Sequence, residues 1–506
     1  MKFNLITKRK STPTFNHAGG QAFKLTPEFE LYSAVVTTSL NNTFYEKDTT
    51  RLKRITDLIT KCNPEFVAQL AIYARTEMYL RTIPVVLLVE LAKHTSGSSI
   101  LSKAIPKVIN RADEITELLA YYQFANRRNG SKKLNKLSKQ VQKGLAISFN
   151  KFDEYQFAKY NRQTEVTLKD ALFLVHPKAN SSEQQLVFNK IAQNSLSTPY
   201  TWETELSNLG QQHFYSKHEK SKAVTQKWEE LIESQKIGYM ALMRNLRNIL
   251  QSNVSSYHIE KVCNYLANEK AVANSKQLPF RFLAAYRELL NESSSYTSAI
   301  LDALEEAALI SAQNIQGFNF STSVVIACDV SGSMQRVISP KSKIMVYDIG
   351  LMLGMLLQAR CNNVTTGLFG DKWKVINLPK RSILNNVNQL YQRANEVGYS
   401  TNGHLVIQSL TKRKKIVDKV MLFTDMQLWN SRFTSSSLAS AWKSYKKIAP
   451  NAKLCLFDLA GHGNTPVSAQ RNDVYLIAGW SDKVFNILHS MDNANSAIAE
   501  IKKIEI

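Results

Sequence analysis

Apolar positions along this chain change rhythm near residue 316. Up to that point they recur at spacings of three and four, the pattern of helices that bury one face. Segments of this kind cover 28–40, 51–62, 65–76, 82–93, 115–124, 132–145, 168–176, 185–193, 227–235, 239–251, 258–269 and 280–291. Several starts are signed: Thr26-Pro27 and Asn63-Pro64 each set a capping residue before a first-turn proline. Thr167 caps the next apolar run and Pro177 closes it. Short connections and the absence of a strict period predict stacked helix pairs, with one irregular helical domain as the alternative.

Beyond residue 320 short apolar runs alternate with helical patterns. VVIACDV (324–330), VTTGLFG (364–370), VMLFTD (420–425), LCLFDLAG (454–461) and VYLIAGW (474–480) read as buried strands. Helical patterns near 341–360, 382–396, 403–413 and 434–448 separate them. That order predicts a doubly wound, mostly parallel sheet. Ligands of such sheets bind at the carboxyl ends of the strands. Glycine follows the same division, with seven in residues 1–316 and eleven in 317–506. The expected domains are therefore 20–318, helical, and 319–506, α/β.

Three segments bring oxygen ligands to those strand ends. They are Asp329-Val-Ser331-Gly-Ser333, the loop 398–403 with Thr401, and Thr424-Asp425. Carboxylates and hydroxyls are hard donors, suited to Mg²⁺ or another hard divalent cation. A strand-end Asp with Mg²⁺ also serves phosphatases of the haloacid dehalogenase type, but these need a second Asp where Ser331 stands. Serine is no acid/base at neutral pH. The chain has no P-loop, H-E-x-x-H or G-x-S-x-G. We expect a site that binds rather than reacts, in a protein that is not an enzyme.

Charge changes the picture of the helical part. The net charge is +23, from 64 basic and 41 acidic residues, a surplus that attracts polyanions. Residues 126–163 hold ten Lys/Arg against two acids. Lys132, Lys136, Lys139 and Lys143, spaced 4, 3 and 4, would share one face of a 132–145 helix capped by Ser131, opposite Leu134, Leu137, Val141 and Leu145. Arg127, Arg128 and Lys133 flank or join that stripe. Lys159, Tyr160 and Arg162 follow, then Lys169, His176 and Lys178. Lysine and arginine neutralise phosphates, and aromatic rings stack on unpaired bases. The bland reading is a solvated lysine face.

Five cysteines, odd in number and without a C-x-x-C pair, suggest neither zinc nor disulfides. The opening residues lack an apolar stretch of signal-peptide length, and the longest apolar run, Ile349 to Leu357, is nine residues. A cytoplasmic protein without membrane association is expected.

The second half resembles the von Willebrand factor A domain and its metal-ion-dependent adhesion site. The resemblance implies Ser331, Ser333 and Thr401 as ligands, with Asp329 and Asp425 ligating directly or through water. The whole chain from about Phe23 resembles the Ro autoantigen (TROVE-domain) family of RNA-binding proteins. AIYARTEMYLRTIP (71–84), TLKDALFLVHPK (167–178), ALMRNLRNIL (241–250), LPFRFLAAY (278–286), VVIACDVSGSM (324–334), GLFGDK (367–372) and VMLFTDMQ (420–427) carry it. The resemblance implies a ring of HEAT-like helical repeats joined by a Rossmann-like A domain. Single-stranded 3′ ends of misfolded noncoding RNA would enter the hole. Structured RNA, Y RNA included, would bind a basic outer surface supplied largely by 126–178, with Arg244 and Arg247 facing the hole. It implies RNA quality control by a monomer and leaves room for a ribonuclease partner. Two departures stand out: Asn402 occupies a position often acidic in the family, which puts metal affinity in question, and 145–165 matches loosely. The alternative function is a scaffold that captures an acidic partner at the Mg²⁺ site. A metal-dependent phosphohydrolase is the third reading.

Overall fold

The computed structural model describes residues 12–38, 47–126, 137–313, 315, 318, 322–340, 342–429, 437–468, 471–492 and 496–506. A mostly helical region precedes a mixed α/β sheet domain, as the change of rhythm predicts. The chain forms two compact units, one of residues 1–58 with 312–500 and the other of 59–311 with 501–506.

The sheet unit is built on six strands in the order β5-β4-β3-β6-β7-β9. These are β3 (Ser323–Asp329), β4 (Asn363–Phe369), β5 (Trp373–Val375), β6 (Lys419–Thr424), β7 (Lys453–Asp458) and β9 (Val474–Ala478). All neighbours run parallel except β5, which pairs antiparallel with β4. Central strands read as unbroken apolar runs because helices cover both faces. The Val346–Arg360 helix approaches closely through Gly350 and Gly354, where a Cβ would meet Leu459 and Ile326. On the opposite face Val406, Ile407, Trp442 and Tyr445 pack against Val325, Val420 and Leu422.

The first residues pack with this sheet: residues 1–58 share a compact unit with 312–500. A hairpin of β1 (Pro13–Phe15) and β2 (Gln21–Lys24) pairs with β8 (Asn464–Thr465). From the Pro27–Val36 helix, the Tyr32 hydroxyl donates to Ala478 O and Ser33 Oγ donates to Asp458 Oδ2. Arg51 donates to the carbonyls of Ala460 and Gly461. The buried strand ends of β7 and β9 need polar partners, and the N-terminal segment supplies them. Helical periodicity reports a buried face but not what covers it.

In the helical unit, consecutive helices pack on each other and on the next but one. Pro64–Thr76 lies against Thr82–Ala92 and Ile100–Val108, and Ile100–Val108 lies against Lys139–Phe149. The expected caps are in place: Asn63 accepts from Glu65 N–H, and Thr167 forms a reciprocal box with Asp170. Gln69 donates to Lys502 O and Ile504 O, which holds the last residues in this unit.

Two helices depart from expectation. The helix read over 132–145 begins at Lys139, because residues 137 and 138 are not helical. Ser138 is extended (φ −54°, ψ 129°) and its N–H goes to the Tyr122 hydroxyl. Lys132 and Lys136 lie outside the described residues, so of the four lysines only Lys139 and Lys143 are placed on this helix. The helix Ile100–Val108 is not among the expected segments; its Pro106 lies in the last turn.

Candidate nucleic-acid interface and metal centre

The carboxyl end of β3 places Asp329 beside the end of β6, where Asp425 follows. Both carboxylates are 1% exposed. Asp329 Oδ1 accepts from Ser331 N–H at 2.9 Å, and Oδ2 accepts from Thr424 Oγ1 at 2.7 Å. Ser331 Oγ and Ser333 Oγ lie 3.3 Å apart, and Ser333 also bonds Asp425. Met426 takes a left-handed φ of 65°. That turn brings Gln427 N–H back to Asp425 Oδ1 at 3.0 Å. Such a φ is uncommon for a residue with a Cβ and concentrates at functional positions.

Burial, and next the negative charge of Asp425, push the Asp329 carboxyl up to about 7. Burial also raises Asp425. Two buried carboxyls with raised pKa, ringed by hydroxyls, form an electrostatic demand for a cation. Arg336, three residues beyond Ser333, meets part of that demand. Its guanidinium is lowered chiefly by burial and feels the charges of Asp425 and Asp458.

The five expected ligands are thus not equivalent. Asp329, Ser331, Ser333 and Asp425 form one hydrogen-bonded cluster. Thr401 is buried nearby, but its hydroxyl donates to Gln427 O at 3.0 Å and accepts from Trp429 N–H at 2.9 Å. One lone pair remains for a metal. Two carboxylates and neighbouring hydroxyls are the donor types a hard divalent cation takes, and Thr401 is held against the loop that follows Asp425. Asn402 donates its backbone N–H to Gly370 O at 3.2 Å. Gln427 was not singled out in the sequence, since nothing in its spacing sets it apart. It accepts from His17 N–H at 2.7 Å and donates to Asn464 Oδ1, so it ties the Asp425 loop to the N-terminal hairpin and β8.

The basic residues of the helical unit divide three ways. Arg127, Arg128, Lys132, Lys133 and Lys136 lie outside the described residues, as does Ser131. Lys139 and Lys143 are exposed on the Lys139–Phe149 helix. Gln142 of that helix donates to Leu174 O and Val175 O at the end of the Leu168–Val175 helix. His176 follows in a left-handed C-cap (φ 50°) and is exposed, as is Lys178; Lys169 is half-buried. Asn150 donates to Lys178 O at 3.0 Å and accepts from Asn180 N–H. The packing of these two helices thus joins the Lys139 end of the stretch to the His176–Lys178 end.

Arg162 is exposed in the following loop, and Lys159 stands 5.7 Å from the Tyr155 ring and 5.8 Å from that of Tyr160. Lys151 has a different task. It donates to Pro106 O, Ile109 O and Asn110 Oδ1, and so caps the helix Ile100–Val108. Burial lowers its pKa. Arg244 and Arg247 are exposed on Tyr239–Gln251, apart from this surface in sequence, and Arg247 pairs with Glu288.

Residues 32–197 and 193–298 match the TROVE domain, more than half of the chain, and 323–491 match the Ro60 vWA domain. The chain belongs to the TROVE family. Telomerase protein component 1 of Rattus norvegicus is 24% identical over 316 residues, 47% of this TROVE chain and 12% of the rat protein. Its Mus musculus counterpart is 24% identical over 307 residues, 45% of this chain and 11% of the mouse protein. The chain thus spans about an eighth of the length of these relatives. The crystal structure of Deinococcus radiodurans Ro (RSR) protein superposes with a TM-score of 0.60 at 17% identity, covering 92% of this chain and all of that one. That likeness supports the fold. TROVE membership supports an RNA-binding protein, and neither matched domain belongs to a catalytic family.

Proposed function

We propose that this TROVE protein binds noncoding RNA and does not process it. Structured RNA of the Y type would lie on the basic surface of the Lys139–Phe149 and Leu168–Val175 helices. A single-stranded 3′ end of a misfolded RNA would be held by the helical repeats, with Arg244 and Arg247 as candidate contacts. Such a protein serves RNA quality control in the cytoplasm, as a monomer, and hands its RNA to a ribonuclease. Asp329, Ser331, Ser333, Thr401 and Asp425 would hold Mg²⁺ or another hard divalent cation, which would neutralise the two buried carboxylates.

One observation carries the reading. Exposed Lys139, Lys143, His176 and Lys178 come from segments some forty residues apart and are joined by helix packing, inside the TROVE match. Sequencing the RNA that copurifies with the protein tests it. We expect noncoding transcripts with unpaired 3′ ends, and their loss from the K139E/K143E variant. An unchanged RNA complement in that variant would return the lysines to a solvated face.

A further inference from the structure

The sheet unit carries a basic groove of about 950 Å³ that the helical surface does not account for. It lies where edge strand β5 meets the His404–Lys412 helix. Lys372 and Lys374 come from the β4–β5 hairpin, Lys412 and Arg413 from the helix end, and Trp373 lies between them. Asp371 is the one acidic residue in the lining. Lys372, Lys374, Lys412 and Arg413 are exposed. Among the described residues, only Lys374 of the four has an ion pair, with Glu396 at 2.7 Å.

Two ordinary explanations fall short. A cation in the last turn of a helix complements its dipole, which accounts for Lys412 and Arg413 but not for two lysines from a separate hairpin. A solvated charge run needs no groove and no ring, whereas Trp373 is half-buried here. Its indole lies across Gly367 on β4, where a Cβ would come within 2.6 Å of the ring. The glycine makes room for the ring, which packs partly against the core and partly lines the groove.

We propose that this groove binds a single-stranded RNA segment, its phosphates on Lys372, Lys412 and Arg413 and a base against Trp373. Cations along a channel with an aromatic ring are the usual means of holding single strands without sequence preference. An acidic peptide is the competing occupant. It would add as a strand to the open edge of the sheet, but β5 has three residues and offers few backbone bonds. The proposal rests on the RNA-binding reading and adds a second contact surface in the other unit. The groove also adjoins the metal loop: Lys372 N–H donates to Val397 O, and the Asp371 carboxylate lies against Gly398.

The test uses the full chain and a fluorescent oligouridine of about ten nucleotides, titrated at several salt concentrations. K372E/K412E/R413E is compared with wild type and with K139E/K143E. The groove variant should lose at least about tenfold in affinity, and its salt slope should fall by about two, given roughly 0.7 per phosphate contact on single strands. Photo-cross-linking of 4-thiouridine RNA should label Trp373 in the wild type. Wild-type binding that the groove variant retains, without a Trp373 cross-link, overturns the groove and leaves the RNA reading standing. A wild type that binds no RNA overturns both. A polyglutamate peptide whose binding depends on the groove while oligouridine binding does not would assign it to a protein partner and overturn the proposal.

Discussion

Asp329 shows how much one residue's surroundings decide. Its pKa is raised by burial and by Asp425, so the folded state holds its proton to higher pH than the unfolded state does. Between about pH 4 and about pH 7 the folded protein therefore binds more protons, and stability falls as pH rises through that window. A bound cation favours both carboxylates and removes the penalty. In EDTA we expect Tm to decline from about pH 4 to about pH 7, and Mg²⁺ to flatten that decline. Asp329→Asn, which keeps the shape without the charge, should show a shallower decline in EDTA, the remainder belonging to buried Asp425, and a weaker response to Mg²⁺. A wild-type profile unaffected by Mg²⁺ would refute the metal reading. The donor types of this cluster were legible in the sequence as Asp-x-Ser-x-Ser. The engagement of Thr401 with Gln427 and Trp429 was not, because it depends on the loop after Asp425, which turns at Met426 and which no spacing reports.

Among the elements, two lysines eight residues apart have opposite roles. Lys143 projects from the Lys139–Phe149 helix into solvent, whereas Lys151 takes the final carbonyls of Ile100–Val108. Lys151→Ala should hand those carbonyls to water and cost about 0.5–1.5 kcal/mol, read as a lower denaturant midpoint with RNA affinity unchanged. Lys143→Glu should do the reverse, weakening RNA binding several-fold with an unchanged midpoint. If Lys151→Ala weakened RNA binding at unaltered stability, the assignment of roles would be inverted. Strand and helix identities were readable where the apolar rhythm was long, as in β3, β6 and Tyr239–Gln251. They were missed where the run was short: β5 and β8 have three and two residues. The helix read over 132–145 lies outside the described residues up to 136, and its described part starts only at Lys139. Its lysine spacing was regular, yet Ser138 spends its N–H on Tyr122 instead of a helical turn.

Scale changes the meaning of charge again in the whole molecule. The surplus of +23 is shared by both parts of the sequence, which raises association with any polyanion but selects none. Selection must come from built surfaces, and the fold supplies candidates in each unit. The division between units was only partly legible: the change of grammar near residue 316 was visible, but not the return of residues 12–58 to the sheet. That return rests on Tyr32, Ser33 and Arg51 bonding to Ala478, Asp458 and the carbonyls of Ala460 and Gly461. Arg51→Ala should therefore destabilise the sheet unit by about 1–3 kcal/mol, seen as faster amide exchange in β7 and β9. Exchange unchanged in both strands would show that the N-terminal segment is merely laid on the surface.

The proposed function requires the chain to prefer structured RNA with an unpaired 3′ tail. The direct measurement is the affinity of the full chain for a stem with such a tail against the same stem made blunt, at low and at physiological salt. We predict tighter binding of the tailed RNA by at least about tenfold, with both affinities falling steeply as salt rises, because phosphate contacts release counterions. Equal affinity for tailed and blunt RNA, or binding indifferent to salt, would contradict it.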